Sequence, residues 1–168
     1  MKKTLLNASL TMSEYSDDSI NSNENNYKAL VIGVSAGGLN ALKQIIPELP
    51  ANFPLAVIIV QHRKQTYDDF LVEFLTQHSS MNITSASPNQ PVKTGTVYIA
   101  PAGYHTLVER NQLFSLSVDE PVNFSIPSID VLFESAAFCY QEQLIGLLLT
   151  GASTDGSLGL KCINDYHG

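Results

Sequence analysis

The chain has 168 residues, 44% of them hydrophobic and only 15% charged, enough apolar material for one compact domain with a core. A formal charge of −7 excludes sequence-independent nucleic-acid binding, which needs Lys and Arg to displace counterions from phosphates. No apolar run approaches the length of a membrane span, so the expectation is a cytoplasmic protein with no membrane insertion.

Residues 1–26 begin with a short apolar stretch broken by Asn7 and Ser9, too short for a signal peptide. From Ser13 to Asn26 they are mostly Ser, Asn, Asp and Glu, which have little to bury, so they read as a disordered polar tail. Residues 27–168 read as the domain. There, short apolar runs alternate with turns and amphipathic segments, the pattern of a doubly wound α/β fold: a mostly parallel sheet with helices on both faces. Ala29–Val34 is the first expected strand, and Leu39, Leu42, Ile45 and Ile46 mark one face of a helix ending before Pro47. Leu55–Val60 is apolar throughout, as a strand covered on both faces should be. A helix is expected from Asp68 to Gln77, a short strand at Ile83–Ala86, and another at Thr96–Ala100, stopped by Pro101. Tyr104–Glu109 and Leu113–Val118 alternate apolar and polar residues, suggesting an antiparallel hairpin added to the sheet. Pro127–Asp130 opens a helix running to Gln141, Leu144–Leu149 is another buried strand, and a last helix follows Gly156. Cys139 and Cys162 lie on expected helices, far apart, and signal neither a disulfide nor a zinc site.

In open α/β sheets the working residues gather at the carboxyl ends of the strands. Ser35, His62 and Asp155 fall at three such ends, and they are the inventory of nucleophile, base and orienting carboxylate. Gly33–Gly38 sets Ser35 in a sharp strand-to-helix turn, with helix amides and dipole behind it. The backbone N–H of Ala36 suits an oxyanion hole, with a second donor from the Gly151–Ser153 loop at Ala152. Each residue alone has a plainer reading. G-x-S-x-G recurs in strand-to-helix turns, a histidine is usually a surface or hydrogen-bonded group, and Asp155-Gly156 is an ordinary capped turn. A dinucleotide fingerprint fails on two counts: Ser35 crowds the site of its second glycine, and Gln61-His62 stand where its acidic residue belongs. The order Ser, His, Asp also differs from the Ser, acid, His order of an α/β-hydrolase.

Gly33–Gly38, Val60–His62, Val97–Pro101 with His105, Ile126–Phe133 and Leu148–Gly156 together resemble, in order and spacing, the CheB-type protein-glutamate methylesterases. The resemblance covers about Tyr27 to Gly168. It implies Ser35 as nucleophile, His62 as base and Asp155 as its partner, with no cofactor or metal. It implies hydrolysis of glutamyl methyl esters on the cytoplasmic helices of chemoreceptors, and deamidation of receptor glutamines through the same acyl-enzyme. Family members often carry a receiver domain where this chain has a polar tail, so a receiver domain or kinase in trans is an expected partner, and the chain reads as lacking the family's final segment, as a fragment or a natural truncation. Ala36 stands where threonine is frequent, Ala152 where methionine is frequent, and Phe74 where an arginine is expected. His105 reads as a structural loop histidine, and Pro127, Ser128 and Asp130 as a structural helix start. The alternative from another class is a catalytically silent binding module of the same fold in a signalling pathway; nucleotide binding ranks last.

Overall fold

A computed structural model describes residues 26–35, 37–62, 70–149 and 154–168. The expected tail, Ala36 and Ala152 lie outside the described residues, apart from Asn26. Five parallel strands form the main sheet: β1 (Ala29–Val34), β2 (Ala56–Gln61), β3 (Asn82–Ser85), β4 (Thr96–Ile99) and β7 (Leu144–Leu148), in the order β3-β4-β2-β1-β7. β2 is central, and β1 beside it is also interior, paired from Ala29 with Ala56 on one side and with Leu144 on the other.

Strand periodicity divides the core in two. Ala29 and Val31 of β1, Ala56, Ile58 and Val60 of β2, and Tyr98 of β4 point to one face. Ile32, Val34, Val57, Ile59, Val97 and Ile99 point to the other. The second face is covered by α1 (Gly38–Ile45) and α2 (Phe70–His78), through Leu42, Leu71 and Leu75. α1 passes into a 3₁₀ turn over Ile46–Glu48, so the chain stays helical through Pro47, whose missing N–H costs nothing in a first turn. The first face is covered by α3 (Ile129–Tyr140) and α4 (Ser157–Asp165), through Leu132, Phe133, Ala136 and Ile163. Cys139 and Cys162 are free thiols, half-buried against this core, as their helical positions suggested.

The hairpin β5 (His105–Val108) and β6 (Phe114–Ser117) is a two-stranded sheet of its own, not an extension of the main one. The reason is where its apolar side chains go. Val108 and Phe114 join the α3 side of the core, Phe114 tilts against Tyr98 with ring centroids 4.8 Å apart, and Val108 N–H donates to Ser135 Oγ on α3. Alternation specifies a hairpin with one apolar face but not which surface that face meets. No helix among the described residues is long and apolar enough to cross a membrane.

Candidate active site

The helix after β1 lies on one face of the sheet and the helix after β7 on the other, which opens a crevice at their carboxyl ends. Backbone bonds carry the ladder past the strand ends: His62 N–H donates to Val34 O (2.9 Å) and Leu149 N–H to Gly33 O (2.9 Å). They fix Ser35 and His62 side by side, although 27 residues separate them. The turn after Ser35 closes through Gly38 N–H to Ser35 O and a left-handed Gly37 (φ +81°) that a side chain would strain. Gly33 has a second role, because a Cβ there would collide with Ile129 Cγ2 at the start of α3.

Ser35, His62 and Asp155 form one hydrogen-bonded chain. His62 Nε2 lies 2.6 Å from Asp155 Oδ2 and His62 Nδ1 lies 3.2 Å from Ser35 Oγ. A carboxylate can only accept, so the neutral imidazole carries its proton on Nε2, leaving Nδ1 free to accept from the serine hydroxyl. The two ring nitrogens are exchanged relative to the chymotrypsin arrangement, but the donor–acceptor sequence is the same.

Asp155 is 2% exposed and heavily supplied with donors. Besides His62 it accepts from Ser128 O–H (2.7 Å), Ile129 N–H (2.7 Å), Asp130 N–H (3.1 Å) and, more distantly, Asn123 Nδ2 (3.5 Å). Its carboxylate therefore sits on the amino end of α3, where free amides and dipole favour an anion. Burial pushes the Asp155 carboxyl up, but bonds from His62, Ile129, Ser128 and Asp130 outweigh it and hold it well below the usual range.

The arrangement is reciprocal. Asp130, in the first turn of α3, accepts from Gly156 N–H (2.9 Å) and Gly159 N–H (2.7 Å), at the amino end of α4. Each aspartate thus caps the other's helix. The geometry needs glycines: a Cβ on Gly159 would come within 2.5 Å of Phe133 Cβ, and Gly156 adopts φ +97° against Leu148 and Ile129. Asn123 Nδ2 donates to Asp130 Oδ2 (2.8 Å) between the two carboxylates. Burial chiefly, with the neighbouring Asp155 charge adding to it, raises the Asp130 carboxyl despite the amides of Gly159 and Gly156.

Ser35, His62 and Asp155, expected at three strand ends, are joined here in one hydrogen-bonded chain, while the residues that support it carried no such expectation. Ser128 does start α3 as expected, yet its hydroxyl also serves Asp155. His105 is not a loop residue: it is the buried first residue of β5, donating from Nε2 to Glu120 O and accepting Ser128 N–H at Nδ1. The alternation that marks Tyr104–Glu109 as a hairpin strand is the signal that places His105, and it prevails over the loop reading. A cavity of about 310 Å³ lined by Tyr27, Leu144, Gly146 and Ile163 includes the amino end of β7, so it belongs to the opposite rim and not to this site.

Fold and site together define a class: a doubly wound α/β domain with a serine-hydrolase arrangement on its carboxyl rim. The profile of the CheB methylesterase family matches residues 30–168, and the chain belongs to that family. A relative in Leptospira interrogans is 48% identical over 143 residues, covering 85% of this chain and 74% of its own. A Symbiobacterium thermophilum relative, named protein-glutamate methylesterase/protein-glutamine glutaminase, is 39% identical over 141 residues; the match covers 84% of this chain but only 39% of that protein. Among solved structures, the crystal structure of the Thermotoga maritima CheB methylesterase catalytic domain superposes with a TM-score of 0.80 at 34% identity, covering 84% of this chain and 77% of that one.

Proposed function

We propose that this chain is a protein-glutamate methylesterase that hydrolyses glutamyl methyl esters on chemoreceptor cytoplasmic helices, and deamidates receptor glutamines by the same route. The observation that carries it is the unbroken chain of hydrogen bonds from Asp155 through His62 to Ser35, within a CheB-family domain. Ser35 Oγ attacks the ester carbonyl while its proton passes to His62 Nδ1. The imidazolium so formed is stabilised by Asp155 across Nε2. His62 returns the proton to the departing methoxide, releasing methanol and leaving an acyl-serine. Water then attacks, deprotonated by the same nitrogen, and the glutamate leaves as Ser35 recovers its proton. Backbone N–H groups of Ala36 and Ala152 serve as the oxyanion donors. No cofactor or metal takes part. The protein works in the cytoplasm, with a receiver domain or kinase as its signalling partner.

Methanol release from a methylated chemoreceptor fragment tests this, with Ser35→Ala beside the wild type. Loss of the nucleophile should cost on the order of 10⁶ in turnover. A variant keeping a tenth of wild-type turnover refutes the assignment. A wild type that neither releases methanol nor reacts with a fluorophosphonate is the silent binding module instead.

A further inference from the structure

A two-residue hairpin links Val122 to Ser125, with backbone bonds in both directions between them (2.9 and 3.2 Å). Its central residues, Asn123 and Phe124, both have positive φ, +50° and +60°. That is the turn for which Asn-Gly is the favoured pair, because the second position tolerates almost no side chain without strain. Asn123 obeys the rule and uses its side chain to bridge Asp130 and Asp155. Phe124 breaks it. The residue is 104% exposed, so it recovers nothing by burial for the strain it imposes.

Single exposed apolar residues are common on protein surfaces and need no explanation. This one differs in three respects. It occupies a position where local sterics select against it. It adjoins a residue that touches the triad carboxylate. Another apolar side chain, Leu158 (64% exposed), stands three positions beyond that same carboxylate in the first turn of α4. A local rule broken without gain to the fold points to a functional cause.

We propose that Phe124 is a substrate-binding residue that grips the polypeptide around the esterified glutamate, packing on an apolar side chain of the protein substrate beside it. The inference rests on the esterase reading and adds what selects the substrate. Serine ester chemistry is indifferent to what lies behind the acyl group, so preference for a protein must come from contacts outside the triad. A rigidly presented aromatic ring is the common form of such an anchor.

The test compares kcat/KM for a methylated chemoreceptor cytoplasmic fragment with kcat/KM for p-nitrophenyl acetate, in the wild type, Phe124→Gly and Phe124→Tyr. The ratio of the two is expected to fall about tenfold or more in Phe124→Gly and to recover in Phe124→Tyr. The Tm of Phe124→Gly should hold or rise, because the change creates the favoured turn pair. Equal proportional loss on both substrates would mean that the turn acts only through Asn123 on Asp155, and would overturn the proposal. An unchanged ratio, or a Tm several degrees lower, would overturn it as well. A wild type that hydrolyses neither substrate would refute the esterase reading itself, before any variant is compared.

Discussion

Replacing Asp155 with Asn should damage stability and activity together, because one carboxylate serves both. Oδ1 receives Ser128 O–H and Asp130 N–H, and Oδ2 receives His62 Nε2 and Ile129 N–H. An amide can place its NH₂ on only one side, and on either side it confronts a backbone N–H of α3 that then has no acceptor. One orphaned buried donor costs about 1–3 kcal/mol. Losing the negative charge from the helix end adds about 0.3–2 kcal/mol. A total of about 1–5 kcal/mol lowers Tm by roughly 3–20 °C in a domain of this size. If the NH₂ takes the Oδ2 side, His62 must move its proton to Nδ1 and can no longer accept from Ser35. If it takes the other side, the imidazolium loses its counter-charge. Either outcome should cost about 10⁴ in kcat, near 5.4 kcal/mol of barrier. Thermal unfolding and methanol release on one preparation read both quantities. A variant that melts within a degree of wild type and keeps more than a tenth of its turnover would refute the dual role.

Asp130→Asn should behave differently, since an amide oxygen can still accept from Gly156 and Gly159, while its NH₂ takes the place of Oδ2 and is accepted once the Asn123 amide turns its oxygen toward it. Its folded-state carboxyl is raised, so the ionised form weakens the fold at neutral pH and the penalty is relieved as pH falls. Asp130→Asn should therefore match or exceed wild-type Tm at pH 7, with any advantage fading in acid, whereas Asp130→Ala should lose about 2 kcal/mol in urea unfolding. For Asp155 the sign is opposite. Its carboxyl is depressed, so its contribution is complete above about pH 4 and is withdrawn as pH falls below that, and the stability gap between wild type and Asp155→Asn should narrow there in urea titrations. Gly156→Ala puts a Cβ 2.7 Å from Leu148 Cδ1 and 2.8 Å from Ile129 Cγ2 at φ +97°; a loss of about 1–3 kcal/mol, with reduced methanol release, is expected.

The strands and helices were legible because hydrophobic period reports burial, and burial here is regular: β2 is buried from Ala56 through Val60, as a run without polar interruption requires. Ser35, His62 and Asp155 were legible because strand ends converge in any open parallel sheet. The reciprocal capping was not, because Ser128-Ile129-Asp130 looks like any helix start, and its carboxylate partner arrives 25 to 27 residues later. The hairpin could be recognised but not placed, since its docking surface on α3 exists only after the chain has folded. Phe124 was invisible for a related reason: nothing in an Asn-Phe pair announces a positive φ.

The crossed caps also bear on when the protein becomes active during its synthesis. Ser35 and His62 leave the ribosome more than ninety residues before Asp155, as His62 and Asp155 stand 93 positions apart. Until α4 docks on α3, the imidazole has no fixed tautomer and the hydroxyl is an ordinary serine. The nucleophile proposed above is thus activated only in a chain long enough for α4 to dock on α3.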